Sequence, residues 1–233
     1  EQRRLAGIGV ADQRNRQHLL AAARTAAHGA LAFEQLEPVL EHGHALAEQA
    51  AVRGMELVVA DVSTAKLDET VMALRAGGAE VEGVQVDVSR AEQVEALAAR
   101  AFECFGNVHL LVNNAGVALA KSAWETTPAD WEWVLGVNLH GVIHGVRAFV
   151  PRMLEKGEEG HIVNTASVAG LISQPAMAAY NVGKHGVVSL SETLYHDLRL
   201  VGAKVGVSVL CPAFVPTGGR SAIDLGVLLA VGQ

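Results

Sequence analysis

Gly160-His-Ile-Val-Asn-Thr-Ala-Ser167 is a short apolar run that ends in small polar residues. A helical stretch follows from about Ala179 to Arg199, and Lys204-Val-Gly-Val-Ser-Val-Leu-Cys211 is then a β-branched run stopped by Pro212. Strand, helix and strand in that order predict two parallel strands with a crossover helix. Ser167 falls at the C-terminal end of the first strand, where open parallel sheets hold their ligands. Tyr180 and Lys184 stand in Tyr-Asn-Val-Gly-Lys on the crossover helix. A spacing of i,i+4 puts the phenol and the ammonium on one face.

The same rhythm extends toward the N-terminus. Strands are predicted at Met55–Ala60, Glu80–Val86, His109–Asn113, His161–Asn164 and Val205–Leu210, with helical stretches between them. That alternation gives an α/β fold with a parallel sheet. Gly77-Gly78 reads as a helix-ending turn. Residues 1–43 form a helix-leaning segment of different character, and residues 44–233 form the α/β domain.

Composition narrows the function. A net charge of −7 argues against nucleic acid or an anionic membrane as partner. Half of the residues are hydrophobic but only 4% are aromatic, so the core must be built of Ala, Val and Leu. No apolar run reaches the roughly 18 residues of a membrane helix, and the N-terminal arginines precede no signal-peptide core. Cys104 and Cys211 read as reduced thiols, which points to the cytoplasm.

The phenol–lysine pair carries the chemistry. A tyrosine with a reference pKa of roughly 10 is a poor base at neutral pH, and a nearby fixed cation favours its phenolate. Lowering that pKa by about 3 units takes on the order of 4 kcal/mol of differential interaction. Lys184 in a partly desolvated cleft is expected to supply it. Tyr180 then serves as general acid or base, with the Ser167 hydroxyl holding the reacting oxygen.

Several further motifs, in order, resemble those of the short-chain dehydrogenase/reductase family. Asp87 in Val-Asp-Val-Ser follows a strand; Asn113-Asn-Ala-Gly116 follows the strand His109–Val112; Asn138 stands in Val-Asn-Leu-His-Gly. Ser167, Tyr180 and Lys184 match three catalytic members, and Pro212-Ala-Phe-Val-Pro-Thr217 resembles the family's loop with Ala213 in place of a glycine. The likeness runs from about Gly43 to Thr217. It implies a Rossmann-like doubly wound sheet and a hydride transfer between a nicotinamide cofactor and a secondary alcohol or ketone. It also implies that Lys184 binds the nicotinamide ribose and that Asn138 helps hold a proton-relay water. Cofactor contacts are implied at Gly43, Asp61, Asp87, Val88, Asn114, Ala115, Gly116, Tyr180, Lys184, Pro212, Val215 and Thr217.

Asp61 ends the strand Met55–Ala60, where its carboxylate can accept bonds from a ribose 2′-hydroxyl and repel a 2′-phosphate. Val62, Ser63 and Thr64 bring no arginine beside it. NAD is therefore preferred and NADP remains possible; the alternative is that Asp61 only caps the next helix.

Two departures from the family pattern stand against the match. The glycine-rich phosphate loop should occupy Leu36 to Gly43, but Leu-Glu-Pro-Val-Leu-Glu-His-Gly stands there and only Gly43 survives. Glu37 and Glu41 would crowd and repel phosphates. The first strand is also missing, since Leu31 to Leu40 has helix-like spacing and contains Pro38. Its loss would leave unpaired edges inside the sheet at ~1–3 kcal/mol per group, so the gap must be filled. After Thr217 only Gly218 to Gln233 remain. Leu225–Val231 reads as a short strand or helix, and the substrate lid does not fit. The expectation is a rearranged or incomplete reading of a family gene. A catalytically silent binding relative is the alternative function.

Other features read more plainly. His140 and His144 have the spacing of helical zinc ligands but lack a third, so no metal is expected. Trp131 and Trp133 are expected in the core or a subunit contact. Val168, Ala169, Leu171, Met177 and Phe214 are expected to form an apolar wall for a small alcohol or carbonyl substrate. By the resemblance, the helices Trp131–Leu154 and Ala179–Arg199 pair into a homodimer or homotetramer through Val187, Leu190 and Leu194.

Overall fold

The protein was examined as a computed structural model that describes residues 42–212 and 227–231. Helix α1 (His42–Val52) leads into strand β1 (Glu56–Asp61), then α2 (Thr64–Ala76), β2 (Val81–Gln85), α3 (Ala91–Phe105) and β3 (Leu110–Asn113). Helix α4 (Pro128–Leu135) runs through a π-helical turn, Gly136–His140, into α5 (Gly141–Lys156). Strand β4 (Gly160–Thr165), helix α6 (Ala178–Leu200), β5 (Val205–Leu210) and β6 (Val227–Val231) complete the order. The boundary placed between residues 43 and 44 has only residues 42 onward beside it, and α1 runs across it.

Strand β1 shows why the sheet is covered on both faces. Its residues after Glu56 are all buried, the mark of a strand with helices on either side. Leu57 and Val59 pack with Ala47 and Ala50 of α1 and with Leu67, Val71 and Leu74 of α2. Val58 and Ala60, pointing the other way, pack with Val94 and Leu97 of α3 and with Ala148 and Phe149 of α5. Ile162, Val205, Val207, Leu194 and Leu198 extend that second core under α6. The fold is thus a Rossmann-like doubly wound α/β sheet, with a core of small aliphatic side chains.

The six strands lie in the order β2-β1-β6-β3-β4-β5. A doubly wound sheet of order 3-2-1-4-5-6 has its first strand in the third place. Here that place is taken by β6, from near the other end of the chain. The five expected strands pair in parallel where they meet, and β6, in the segment left open as strand or helix, runs antiparallel to both of its neighbours. Val58 faces Leu229, which faces Leu111; Val59 faces Leu228, which faces Val112. Without β6 the pairs β2-β1 and β3-β4-β5 would be separate ribbons with unpaired inner edges. A strand that does not depend on a crossover helix can enter in either direction, because both directions satisfy the edge groups.

Two expectations are corrected. Val187 and Leu194 of α6 are buried in the core, with Leu190 packed beside Val187, so the first two do not form an outer contact face. The predicted helix Trp131–Leu154 is instead α4, a π turn and α5. A substitution of Leu229 by Pro removes a donor from the middle of the sheet. It is expected to lower stability by about 1–3 kcal/mol, the cost of an unsatisfied buried group. Urea unfolding reads the loss, and hydrogen exchange should show it first in β1 and β3.

Candidate functional site

The carboxyl ends of β1, β2 and β3 open onto a cleft of about 830 Å³, within the range of small-molecule and cofactor sites. Asp61, Asp87, Val88, Ala115 and Gly116 all line it, so these sequence-predicted residues meet at one place. The helix cap beside Asp61 is Ser63, whose Oγ accepts the Lys66 N–H at 3.4 Å. Asp61 Oδ1 accepts the Ser63 N–H at 2.6 Å and so braces the capping turn from within the cleft. The Asp87 carboxylate takes the Ser89 N–H at 3.0 Å and its hydroxyl at 2.7 Å, which fixes the turn after β2. The Val88 carbonyl accepts His144 Nδ1–H at 3.0 Å.

Trp131 and Trp133 are not in the core: both line the cleft, and Trp133 is exposed. Lys66 and Arg90 also line it and were missed by the sequence reading. Lys66 sits at the start of α2, just past its Ser63 cap. Arg90 lies 3.9 Å from the Asp87 carboxylate.

Beyond Gly116 lies the second group. Ser167 leaves β4 in an extended conformation and accepts the Ala169 N–H at 3.2 Å, starting a short 3₁₀ turn. Pro212 holds that turn by accepting the Val168 N–H at 2.9 Å. Tyr180 and Lys184 project from one face of α6, and the Lys184 ammonium lies 5.7 Å from the Tyr180 ring centroid. Lys184 is almost wholly buried and donates to the Thr165 carbonyl at 2.9 Å. Asn138 is fully buried in the π turn, a feature frequent at functional sites. Its amide grips Val117 both ways, accepting its N–H at 2.7 Å and donating to its carbonyl at 2.8 Å. A Cβ on Gly116 would stand 3.5 Å from Lys184 Nζ and 3.6 Å from Asn138 Oδ1. Gly116 is therefore where the cleft, Lys184 and Asn138 converge.

The electrostatics differ from expectation. Burial pushes the Tyr180 phenol above its ordinary 10, and a hydrogen bond with Ser167 works in the opposite direction without cancelling it. The Tyr180 phenol is thus shifted upward rather than downward, while the Lys184 ammonium donates to the Thr165 carbonyl.

A loop from 171 to 177 walls the other side. Met177 packs with Ala169, Tyr180 and Ala118, so part of the predicted apolar wall is present. Ala176 adopts φ 58°, a left-handed conformation that costs an alanine on the order of 1 kcal/mol. Asn113 is a stitch rather than a ligand: its Nδ2 donates to Asn164 Oδ1 at 2.8 Å, and Asn164 Nδ2 donates to Ser191 Oγ at 3.0 Å. Gly145 belongs to this stitch, since any Cβ there would overlap the Asn113 amide. Asn114 is buried at the same strand end.

Gly43 lies in the first turn of α1. Val215, Thr217 and Phe214 lie outside the described residues, as do Glu37 and Glu41. Among the described residues no group of three His, Cys, Asp or Glu is placed to hold a metal. The His140 and His144 rings stand 6.3 Å apart. Cys104 and Cys211 are free thiols and only partly buried. No helix among the described residues is long and apolar enough to cross a membrane.

Residues 42–226 match the family model described as short chain dehydrogenase. A CLA biosynthesis dehydrogenase/reductase of Lactiplantibacillus plantarum is 36% identical over 175 residues, covering 75% of this chain and 61% of that protein. A 1-deoxy-11-beta-hydroxypentalenate dehydrogenase of Streptomyces exfoliatus is 38% identical over 177 residues, covering 75% and 64%. The chain thus spans about three fifths of the length of these relatives. A short chain dehydrogenase/reductase of Burkholderia phymatum, solved with NAD, superposes with a TM-score of 0.74 at 61% identity over 75% of this chain and 62% of that one. A metagenomic short-chain oxidoreductase solved with NADP gives 0.70 at 30% identity, covering 75% and 78%.

The raised phenol has a testable sign. A group whose folded pKa exceeds its unfolded one stabilises the fold below the unfolded value, and that stability fades as pH rises through the folded value. In a Tyr195→Phe background, Tyr180 is expected to ionise above pH 10 by ultraviolet titration. Alkaline loss of stability should be smaller once Tyr180 is Phe.

Proposed function

The chain belongs to the short chain dehydrogenase family, and we propose that it is a nicotinamide-dependent oxidoreductase acting on a secondary alcohol or ketone. The observation that carries this reading is the convergence at Gly116. On one side is a cleft with a carboxylate at its β1 end; on the other are Asn138, Lys184, Tyr180 and Ser167. Glycine there leaves space beside both polar groups, as a flat ligand passing from cleft to catalytic group would require.

In this reading the cleft holds the adenosine half of the cofactor. Asp61 meets the ribose hydroxyls, Asp87 and Val88 flank the base, and Asn114, Ala115 and Gly116 form the wall beneath. Lys184 holds the second ribose and Pro212 serves the nicotinamide end, where the family resemblance also implies roles for Val215 and Thr217. When bound, the nicotinamide supplies the hydride donor or acceptor. Ser167 holds the substrate oxygen by a hydrogen bond. Tyr180 removes the alcohol proton in oxidation or returns it in reduction, with Asn138 and Lys184 relaying that proton toward solvent. The Ser167 side chain acts on the Tyr180 phenol, lowering its pKa against the effect of burial, which supports this pairing. The phenol's raised pKa suits the proton-donating, reductive direction better than the basic one.

Asp61 favours NAD over NADP, while Lys66 and Arg90 at the cleft keep NADP within reach. The proposed setting is cytoplasmic, with no nucleic acid and no membrane partner. A homodimer or homotetramer built on α6 has to use exposed side chains such as Val182 and Leu200. The second reading, a silent binding relative, is favoured by Glu37 and Glu41 in the stretch where a phosphate loop is expected.

Calorimetric titration with NADH and NADPH separates the two. Micromolar NADH binding with weaker NADPH binding is expected; a folded protein that binds neither is a silent relative. In a binding-competent protein, Tyr180→Phe should lower turnover by about 10²–10⁴-fold, the usual contribution of a positioned acid or base, with a far smaller effect on NADH affinity. Asp61→Ala should narrow the NADH/NADPH ratio.

A further inference from the structure

The loop from 171 to 177 is held at two points, one by distant Lys121 and one by Asn181 in the first turn of α6. Its carbonyl at Ala176 accepts the Lys121 N–H at 2.8 Å, and Lys121 and Met177 form an isolated parallel bridge. Its carbonyl at Gln174 accepts Asn181 Nδ2–H at 2.8 Å, and Asn181 is buried. Between these anchors stands Ala176 with its left-handed backbone. An alanine stays in that conformation only where the surroundings over-determine it.

The Lys121 anchor is itself tied down. Its ammonium lies 2.7 Å from Asp130 Oδ2. The same oxygen accepts the Thr127 N–H at 2.9 Å and the Thr127 hydroxyl at 2.8 Å, forming the capping box that starts α4. The Lys121 bond, followed by those of Thr127, holds the Asp130 carboxyl down to about 2, so the aspartate stays ionised at any working pH. A continuous path therefore runs from α4, which carries Trp131 and Trp133 of the cleft, through Asp130 and Lys121 to Met177 against Tyr180.

We propose that Lys121 and Asn181 are positioning residues that clamp the 171–177 loop, and that the clamp fixes Met177 as the substrate-facing wall beside Tyr180. The inference rests on the oxidoreductase reading only for what the wall faces; the clamp itself is a property of the chain. Asp130 serves it by holding Lys121. The wall it sets is apolar, so the group flanking the reacting carbon is a hydrocarbon one.

The test uses the four methionines, Met55, Met72, Met153 and Met177, labelled with ¹³C at the methyl in the whole chain. Lys121→Leu and Asn181→Ala are each expected to shift or broaden the Met177 signal and leave the other three in place. Lys121→Arg should retain the unaltered spectrum, and Asp130→Asn, which keeps a capping side chain, should reproduce the Lys121→Leu change. Where turnover is measurable, each loosened variant should raise substrate KM by roughly tenfold, the scale of a displaced apolar contact, with kcat and NADH affinity little changed. An unmoved Met177 signal in both anchor variants overturns the proposal. So does a shift of all four signals together, which would make these residues general supports of the fold. Failure of the oxidoreductase reading looks different: no NADH binding by the unaltered protein, with the Met177 response intact.

Discussion

Main-chain hydrogen bonding across β6 is the constraint on which the rest depends. Five residues at one end of the described sequence close the gap between β1 and β3. They turn two parallel ribbons into one sheet. The cleft, the Asn113–Asn164 stitch and the placement of Ser167 all assume that β1 and β3 are held at a fixed separation. A buried backbone group left unpaired costs more than any surface contact returns, so a chain without a parallel strand at this place must recruit another. The apolar run Val227–Val231 answers that demand from the far end. The sheet's central strand then pairs residues separated by most of the chain, an arrangement in which local structure forms first and closure comes late.

Around that sheet the polar side chains divide by task. Asn113 donates to Asn164 and Asn164 to Ser191, whose hydroxyl donates on to the Val187 carbonyl, so the chain ties β3 to β4 and α6. Asn138 spends both ends of its amide on Val117, shaping the strand-end turn that carries Ala115 and Gly116. Asp61 and Asp87 brace the turns at their own strand ends while keeping carboxylate surface toward the cleft. Tyr180 and Lys184 are both buried, and burial sets the character of the phenol. Desolvation outweighs the nearby hydrogen bond at the phenol, so proximity of a cation on the same helical face does not by itself make a base.

The strands and helices from Met55 to Leu210 were legible because each carries its own period: β-branched runs of strand length alternating with amphipathic stretches. The candidate chemistry was legible for the same local reason. Tyr180 and Lys184 are one turn apart, and Ser167 ends a strand, so few neighbours are needed to place them. The place of the Asp61 carboxylate at the cleft followed from its position at the end of β1. Less legible were Lys66, the two cleft tryptophans and the Lys121–Asp130 link. Each depends on where a loop or a helix start travels in space, and sequence separation says little about that. The inward turn of Val187 and Leu194 was misread because an apolar stripe on a helix does not say which neighbour it faces.

The sequence by itself determined the class of fold and pointed to the candidate reactive groups, because helical and strand periods and short spacings are local properties of a chain. Tertiary structure alone decided which segment fills the centre of the sheet, its antiparallel direction and the protonation tendency of Tyr180. The first two follow from edges that exist only once β1 and β3 face each other. The third follows from burial, which no residue possesses until its neighbours have closed around it.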